Sequence, residues 1–277
     1  MEDSKVITPG RTGLVSATAL LGFIAIGCAA PQNIQLASAG VDYWRADLDG
    51  DIQFTDNLVT GTKIDLVDTL GLDKRDEDFA YRGSVALGPV VLEGQYFEIE
   101  RDGDQVLTET ISFQGQTFVV SDRVLSHVEG VLATAYAKFG VIGVQPQDGP
   151  GFSIGGLVGI DYVKMEASIR STTLALEESE DASVIFPVGG VTASFELPLG
   201  ESLSLVASGQ AAGFFGVEYA DIEGSFVDAR GDVGIRLAKL LTVSVGYRFF
   251  DVDFEDGDDN EANVTFSGPY VLGQISF

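Results

Sequence analysis

The sequence is poor in basic residues, cysteine and histidine. Lys and Arg together number 16 against 42 Asp and Glu, so the formal net charge of the 277-residue chain is -26. A chain this acidic repels a phosphate backbone, which excludes nucleic-acid binding through a basic surface. The single cysteine excludes an internal disulfide framework and a cysteine-rich zinc module. We therefore expect no nucleic-acid partner and no bound cofactor.

Long apolar runs are also missing after residue 40, where none approaches the roughly 18 residues of a helical membrane span. Any membrane insertion of that part must use a closed sheet. The one long apolar run, residues 14–27, follows Lys5 and Arg11 and precedes small residues. This layout predicts a secretory signal peptide over 1–30, a short polar tether over 31–40 and one domain over 41–277.

The end of the apolar run, Ile24-Ala25-Ile26-Gly27-Cys28, resembles the lipobox of bacterial lipoproteins. The resemblance implies that Cys28 is lipidated and becomes the first residue of the mature chain. Ala25 departs from this pattern, because leucine is usual at the third position before the cysteine. In the alternative interpretation, Cys28 is a small residue near an ordinary signal-peptidase site. Both interpretations stay open.

Apolar and polar residues alternate with a period of two along the rest of the chain. In 227–237 the odd positions carry only Val, Ala, Gly, Ile and Leu, whereas the even positions carry Asp, Arg and Gly. Strict alternation of this kind predicts strands. The same test gives ten candidate strands, or eight if two weak segments belong to loops. They lie near 41–53, 79–88, 90–100, 123–139, 152–170, 184–198, 202–216, 224–238, 241–254 and 262–277.

The connections between these strands alternate in length. Short turns near 88–89, 198–201 and 239–240 alternate with long polar or acidic connections, and only the 140–151 link breaks the rule. An even number of strands with short turns at one end and long loops at the other is the layout of a membrane barrel. The sequence therefore predicts an all-β fold, a transmembrane antiparallel up-and-down β-barrel.

The chain ends in Phe277 on an alternating strand, and this ending resembles the carboxy-terminal signature of bacterial outer-membrane β-barrel proteins. The resemblance covers the barrel pattern from about residue 41 to the end. It implies a location in the outer membrane of a Gram-negative bacterium, next to lipids and lipopolysaccharide. It also implies that the barrel-insertion machinery recognises the last strand through Phe277.

Aromatic side chains on the apolar faces are expected to face lipid and to form girdles at headgroup level. A soluble periplasmic ligand-binding barrel, the alternative, would instead bury them in its interior. The girdle candidates are Trp44, Tyr81, Tyr96, Tyr136, Phe152, Tyr162, Phe195, Phe215, Tyr247 and Phe249.

The opposite faces of the same strands then supply a charge network to the lumen. Two functions suit it: a salt-bridged plug in a barrel with a structural or surface role, and a narrow ion-conducting pore. The predicted members are Arg45, Asp47, Arg82, Glu93, His127, Glu129, Asp161, Asp228, Arg230, Asp232, Arg236 and Arg248.

His127, the only histidine, does not form a local catalytic triad, because on a strand its neighbour Ser126 points to the opposite face. We therefore expect no enzymatic activity. The alternative is an outer-membrane enzyme acting on lipid or peptide, which would be favoured if His127 met a serine or two carboxylates at the loop end. The acidic stretches 177–181 and 251–261 are expected to be solvated surface loops. In the alternative, their clustered carboxylates collect divalent cations between the protein and lipopolysaccharide.

Overall fold

The computed structural model describes residues 35–55, 61–113, 115–144, 149–174, 176–215, 222–256 and 261–277. The predicted signal peptide, including Cys28, lies outside the described residues. Within these ranges, no helix has the length and apolar character needed to span a membrane.

The described chain consists of strands and their connections. The strands are β1 (Ala37–Gln53), β2 (Ile64–Asp65), β3 (Arg75–Leu87), β4 (Val90–Val106), β5 (Ile111–Phe113), β6 (Gln116–Phe118), β7 (Arg123–Val144), β8 (Gly151–Ser171), β9 (Glu177–Pro198), β10 (Leu203–Phe215), β11 (Ile222–Leu237), β12 (Leu241–Asp256) and β13 (Glu261–Ser276). The long strands pair antiparallel in the order β13-β12-β11-β10-β9-β8-β7-β4-β3-β1, and β1 closes onto β13. This confirms the predicted ten-stranded antiparallel barrel, although β1 begins at Ala37, inside the predicted tether.

The barrel has a turn end and a loop end. At the turn end, Gly88 and Pro89 join β3 to β4, and Gly88 takes the positive φ of 63° that so tight a turn requires. Both described chain ends also lie there, since the Leu36 amide donates to the Phe277 carbonyl at 2.6 Å. The predicted exception at 140–151 is wrong: β7 runs to Val144 and leaves a short connection.

The polarity of the barrel wall reverses along the strands. Towards the turn end, the outer face carries exposed apolar side chains such as Leu92, Val158 and Val243. Towards the loop end, apolar side chains such as Leu48 fill the interior, and charged ones such as Asp102 face outward. We call the first part the membrane belt and the second the outer extension, because only the first has an exterior suited to hydrocarbon.

The exposed aromatic side chains mark the limits of the membrane belt. Phe152 and Tyr162 both face outward and lie ten residues apart in β8. At about 3.3 Å per residue and a strand tilt of ~40°, this spacing corresponds to about 25 Å along the membrane normal. The height matches the apolar band of an outer-membrane barrel. Because β8 continues to Ser171, the strands rise well above the belt.

Most of the predicted girdle aromatics do face outward. Exposed or half-exposed positions on the outer face are confirmed for Tyr81, Tyr96, Phe152, Tyr162, Phe195, Tyr247 and Phe249. The prediction is wrong for Trp44 and Tyr136, which are 1% and 2% exposed and point into the lumen. The side chain of Phe215 lies outside the described part of the structure.

Candidate functional site

A polar chamber of about 620 Å³ occupies the turn-end half of the lumen. It lies within the membrane belt, and β-strands from opposite sides of the barrel contribute its walls. Its charged lining includes Arg82, Glu93, Lys138, Arg230, Asp232 and Arg236. Charged groups at this depth need partners, because burial without compensation is costly.

Arg230 is the centre of the charge network that lines this chamber. Its Nη2 donates to Glu93 Oε1 at 2.5 Å and its Nη1 to Gln95 Oε1 at 2.7 Å. A third bond joins Nη2 to Gln210 Oε1 at 3.2 Å, and Lys138 Nζ lies 2.7 Å from the same Glu93 oxygen. Because β11 and β4 are not neighbours in the barrel, Arg230 links opposite walls across the lumen.

Two further ion pairs line the lumen. Arg82 on β3 donates through Nε and Nη2 to Asp42 Oδ2 on β1, at 2.9 and 2.5 Å. Arg236 on β11 donates through Nη1 to Glu196 Oε2 on β9 at 2.9 Å. Both pairs join carboxylates to planar guanidinium groups, whose fixed donors suit such bridges.

Two lumen carboxylates are held by hydroxyl groups. Asp232 Oδ2 accepts hydrogen bonds from the Tyr270 hydroxyl and the Ser208 hydroxyl, each at 2.9 Å. Asp161, which is fully buried, accepts one from the Tyr136 hydroxyl at 3.1 Å. The inward position of Tyr136, which corrects its prediction as a girdle residue, follows from this polar partner.

Arg248 forms the upper limit of the network. Its Nε and Nη2 donate to the two carboxylate oxygens of Asp228, each at 2.9 Å, and both side chains are buried. The guanidinium carbon lies 4.6 Å from the ring centroid of Phe97 and 5.1 Å from that of Trp44. The cation is therefore held both by its carboxylate and by aromatic faces.

An aromatic layer spans the lumen directly above Arg248. Trp44 contacts Phe97 edge to face at 5.4 Å between ring centroids, and Phe97 contacts Phe250 at 5.8 Å. Phe226 links Phe250 at 5.2 Å to Phe186 at 5.8 Å. These rings come from β1, β4, β12, β11 and β9, so the layer reaches from wall to wall.

Connections at the loop end add a second apolar closure above the aromatic layer. Their buried side chains belong to the same apolar cluster as Leu48 and Ile52 of the barrel wall. Phe54, directly after β1, contacts Phe113 in the β5–β6 hairpin at 5.3 Å between ring centroids. The covering side chains are Ile64, Leu66, Leu70, Leu72, Leu107, Ile111, Phe113 and Phe118.

The structure brings together eight of the twelve predicted network residues. The residues that line the lumen are Arg82, Glu93, Asp161, Asp228, Arg230, Asp232, Arg236 and Arg248. Wrong predictions are Arg45 and Asp47 on β1 and His127 and Glu129 on β7, which face outward. In both strands, apolar side chains fill the interior of the outer extension, so the charged face is the exterior one.

Several charged partners within the lumen are not among the predicted network residues. Asp42, Lys138 and Glu196 each form an ion pair with a predicted member of the network. Their partners are Arg82, Glu93 and Arg236, respectively. Arg101 and Asp78 form another buried pair, in the outer extension, with Nη2–Oδ2 and Nη1–Oδ1 distances of 2.7 and 3.1 Å. Asp42 and Trp44 lie two positions apart on the same inward face of β1. Assigning that face of the period-two pattern to the lumen would have revealed Asp42.

On the outer wall, two of the four displaced residues, Asp47 and His127, have other partners. Asp47 is hydrogen-bonded to Arg75, which lowers the pKa of Asp47 and raises that of Arg75. His127 Nδ1 lies 2.9 Å from Asp102 Oδ1 and 4.0 Å from Glu100 Oε1. His127 therefore does meet two carboxylates near the loop end, but on the exterior of the barrel.

The acidic stretches predicted as loops belong largely to strands. Residues 177–181 open β9, and β12 continues to Asp256, while 257–260 lie outside the described residues. Among the described side chains, Glu177, Asp253 and Glu255 are exposed at the end of the outer extension. Binding of divalent cations there stays a prediction.

The chain matches no protein-family profile and no curated protein. Solved structures similar to it include the outer membrane protease OmpT from Escherichia coli, at 6% identity and a TM-score of 0.46, covering 87% of this chain and 96% of that one. The transport unit of the autotransporter AIDA-I from Escherichia coli has 9% identity and a TM-score of 0.43, covering 88% and 90%. The translocator domain of the autotransporter NalP from Neisseria meningitidis has 11% identity and a TM-score of 0.40, covering 89% and 90%. Likeness at this level concerns barrel architecture and says nothing of activity.

Proposed function

We propose that the chain is a bacterial outer-membrane barrel with a closed lumen and a structural or surface role. The observation that carries this proposal is the aromatic layer from Trp44 to Phe186, which crosses the lumen from wall to wall. An ion moving between the chamber and the loop end would have to cross these rings. It would also have to cross the apolar closure made by the connections above them.

The exterior supports the proposed location. A soluble periplasmic barrel would have to expose to water the apolar belt that includes Leu92, Val158 and Val243. Phe277 is 71% exposed at the turn end, next to the last strand. This position is accessible to the barrel-insertion machinery, the partner that we propose for it. Lipid and lipopolysaccharide are the proposed neighbours of the belt and of its loop-end rim.

Conductance in a planar bilayer tests the proposal. We expect the detergent-purified, heat-modifiable protein to insert without discrete openings. A Phe97→Gly, Phe250→Gly double variant removes two rings of the layer but leaves the apolar closure above it, so openings in this variant alone would assign the block to the aromatic layer. Discrete openings of the unmodified protein, with ion selectivity altered by Arg230→Ala, would establish the alternative of a narrow pore and overturn the proposal.

An enzyme acting on lipid or peptide is the second candidate, favoured by the meeting of His127 with Asp102 and Glu100. The proposal of no enzymatic activity rests on where this cluster lies. The cluster sits on the convex outer wall, where Glu100 and Asp102 are 69% and 75% exposed. Ser126 faces the interior, on the other side of the wall. An exposed site of this kind neither excludes water nor encloses a substrate.

A further inference from the structure

Four outward-facing residues form a square on the outer extension. Glu100 and Asp102 lie two positions apart on β4, and His127 and Glu129 do so on β7. In the antiparallel register Asp102 is directly opposite His127, and Glu100 is directly opposite Glu129. Side chains two apart on a strand share a face, so all four project from the same patch of the wall.

The ligand-type atoms of three corners of this square are already close to one another. One carboxylate oxygen each from Glu100 and Asp102 and a ring nitrogen of His127 all lie within 4.8 Å of one another. Two ligands of a tetrahedral zinc ion at about 2.1 Å are ~3.4 Å apart. The His127 Nδ1 distances of 2.9 Å to Asp102 and 4.0 Å to Glu100 lie on either side of that value. The β-ladder fixes the backbone, and the exposed side chains need only small rotations.

The charge of the patch also favours a bound cation. Glu100 faces Glu129 across β4 and β7, and Glu129 faces Glu166 across β7 and β8. Like charges directly opposite in a sheet destabilise it. Lys164 lies 3.3 Å from Glu166 and reduces the repulsion at that side of the row. A divalent ion between β4 and β7 would do the same at the other side.

We propose that Glu100, Asp102 and His127, with Glu129 at the fourth corner, bind one divalent transition-metal ion, for which Zn²⁺ is the probe. The His127 imidazole favours a transition metal, because Ca²⁺ and Mg²⁺ prefer oxygen ligands alone, whereas Zn²⁺ accepts nitrogen and oxygen ligands together. The bound ion links β4 to β7 above the membrane belt, at strands whose connecting segment contributes to the loop-end closure.

Calorimetric titration of the full folded protein in detergent with Zn²⁺, in the presence of excess Ca²⁺ and Mg²⁺, tests the proposal. His127→Gln and Glu100→Gln should each weaken binding by at least roughly tenfold, the lower end of what even an outer-shell change costs. Glu98→Gln is the matched control, since Glu98 lies on the same strand and face and loses the same charge. It should bind like the unmodified protein.

Nuclear magnetic resonance provides a second readout that stability changes would not mimic. Because the chain has one histidine, its imidazole resonances belong to His127 without ambiguity. Zn²⁺ should shift them at one equivalent, and excess Ca²⁺ should not. Equal affinity of His127→Gln and the unmodified protein, or displacement of Zn²⁺ by Ca²⁺, would show only general attraction of cations to an acidic surface and overturn the proposal. A difference in electrophoretic mobility between heated and unheated samples confirms that each variant of the square is folded.

Discussion

Replacing Arg248 with methionine tests whether the lumen network is a coupled, buried plug. Methionine keeps much of the apolar volume between Trp44 and Phe97 but removes the cation. Asp228, which is fully buried, then loses both of its 2.9 Å hydrogen bonds. The expected loss of stability therefore comes mainly from an uncompensated carboxylate, with a smaller contribution from the lost cation–π contacts.

The magnitude follows from the burial of both partners. Breaking a buried ion pair by removing one partner costs about 3–5 kcal/mol, because the remaining charge stays desolvated. Removing both partners leaves no unpaired charge at this position, so Arg248→Met combined with Asp228→Asn should cost clearly less than the sum of the single variants. Arg75→Met is the matched control, because its pair with Asp47 is solvent-exposed and contributes little.

Urea unfolding of the protein in lipid vesicles measures these differences. Trp44 is the only tryptophan and lies against the Arg248 guanidinium, so its fluorescence reports on the site itself. Single variants that each cost less than about 1 kcal/mol would refute the reasoning. So would a double variant whose loss equals the sum within about 0.5 kcal/mol, since additivity means that the two groups are not coupled.

Two further predictions concern close packing and pH. A Cβ on Gly268 would collide with the Arg45 carbonyl oxygen, whereas a Cβ on Gly273 in the same strand would contact nothing. Gly268→Ala should therefore lower the free energy of unfolding by about 1–3 kcal/mol and with it the urea midpoint, and Gly273→Ala should change neither. Burial alone would raise the pKa of Asp122, but hydrogen bonds from the Thr173 and Ser171 side chains and the Arg123 backbone lower it. The carboxylate thus stabilises the loop end above the ordinary carboxyl pKa of about 3.9, and this stabilisation is lost as the pH falls below it. In Asp122→Asn this stabilisation should be missing already at neutral pH. The protease resistance of the variant should therefore depend less on pH than that of the unmodified protein.

The barrel itself could be predicted because its local signals agree with its global fold. Ten alternating segments, short turns at one end and Phe277 at the last strand all indicate the same architecture. The alternation also predicts the correct faces for β11 and for the turn-end half of β12. In β11, Asp228, Arg230 and Asp232 face inward as the alternation indicates. Partners across the lumen could not be predicted, because Arg230 and Glu93 lie 137 positions apart and no local pattern connects them.

The errors in β1 and β7 have a physical cause. In β12 the outward positions run from Val243 and Val245 to Asp251 and Asp253, while the inward ones run from Thr242 and Ser244 to Phe250 and Val252. Strands such as β12 and β4 therefore contain two amphipathic halves of opposite phase. If one phase is assigned to a whole strand, the half with the stronger contrast between its apolar and polar positions determines that phase. In β1 that half was the outer extension, which placed Trp44 on the wrong face.

The reversal of phase occurs inside uninterrupted strands, so a change in surroundings explains it better than a change in pairing. Outside, Tyr96 and Phe249 mark the height at which apolar side chains give way to acidic ones; inside, their sequence neighbours Phe97 and Phe250 contact each other in the aromatic layer. The upper rim of the membrane belt and the seal of the lumen thus lie at the same height. A barrel built this way has its ion network at membrane depth beneath the seal and a solid, acidic column above it. Contacts with the outside must then be made by the outer wall and the loop end, and the metal square on β4 and β7 lies on that wall.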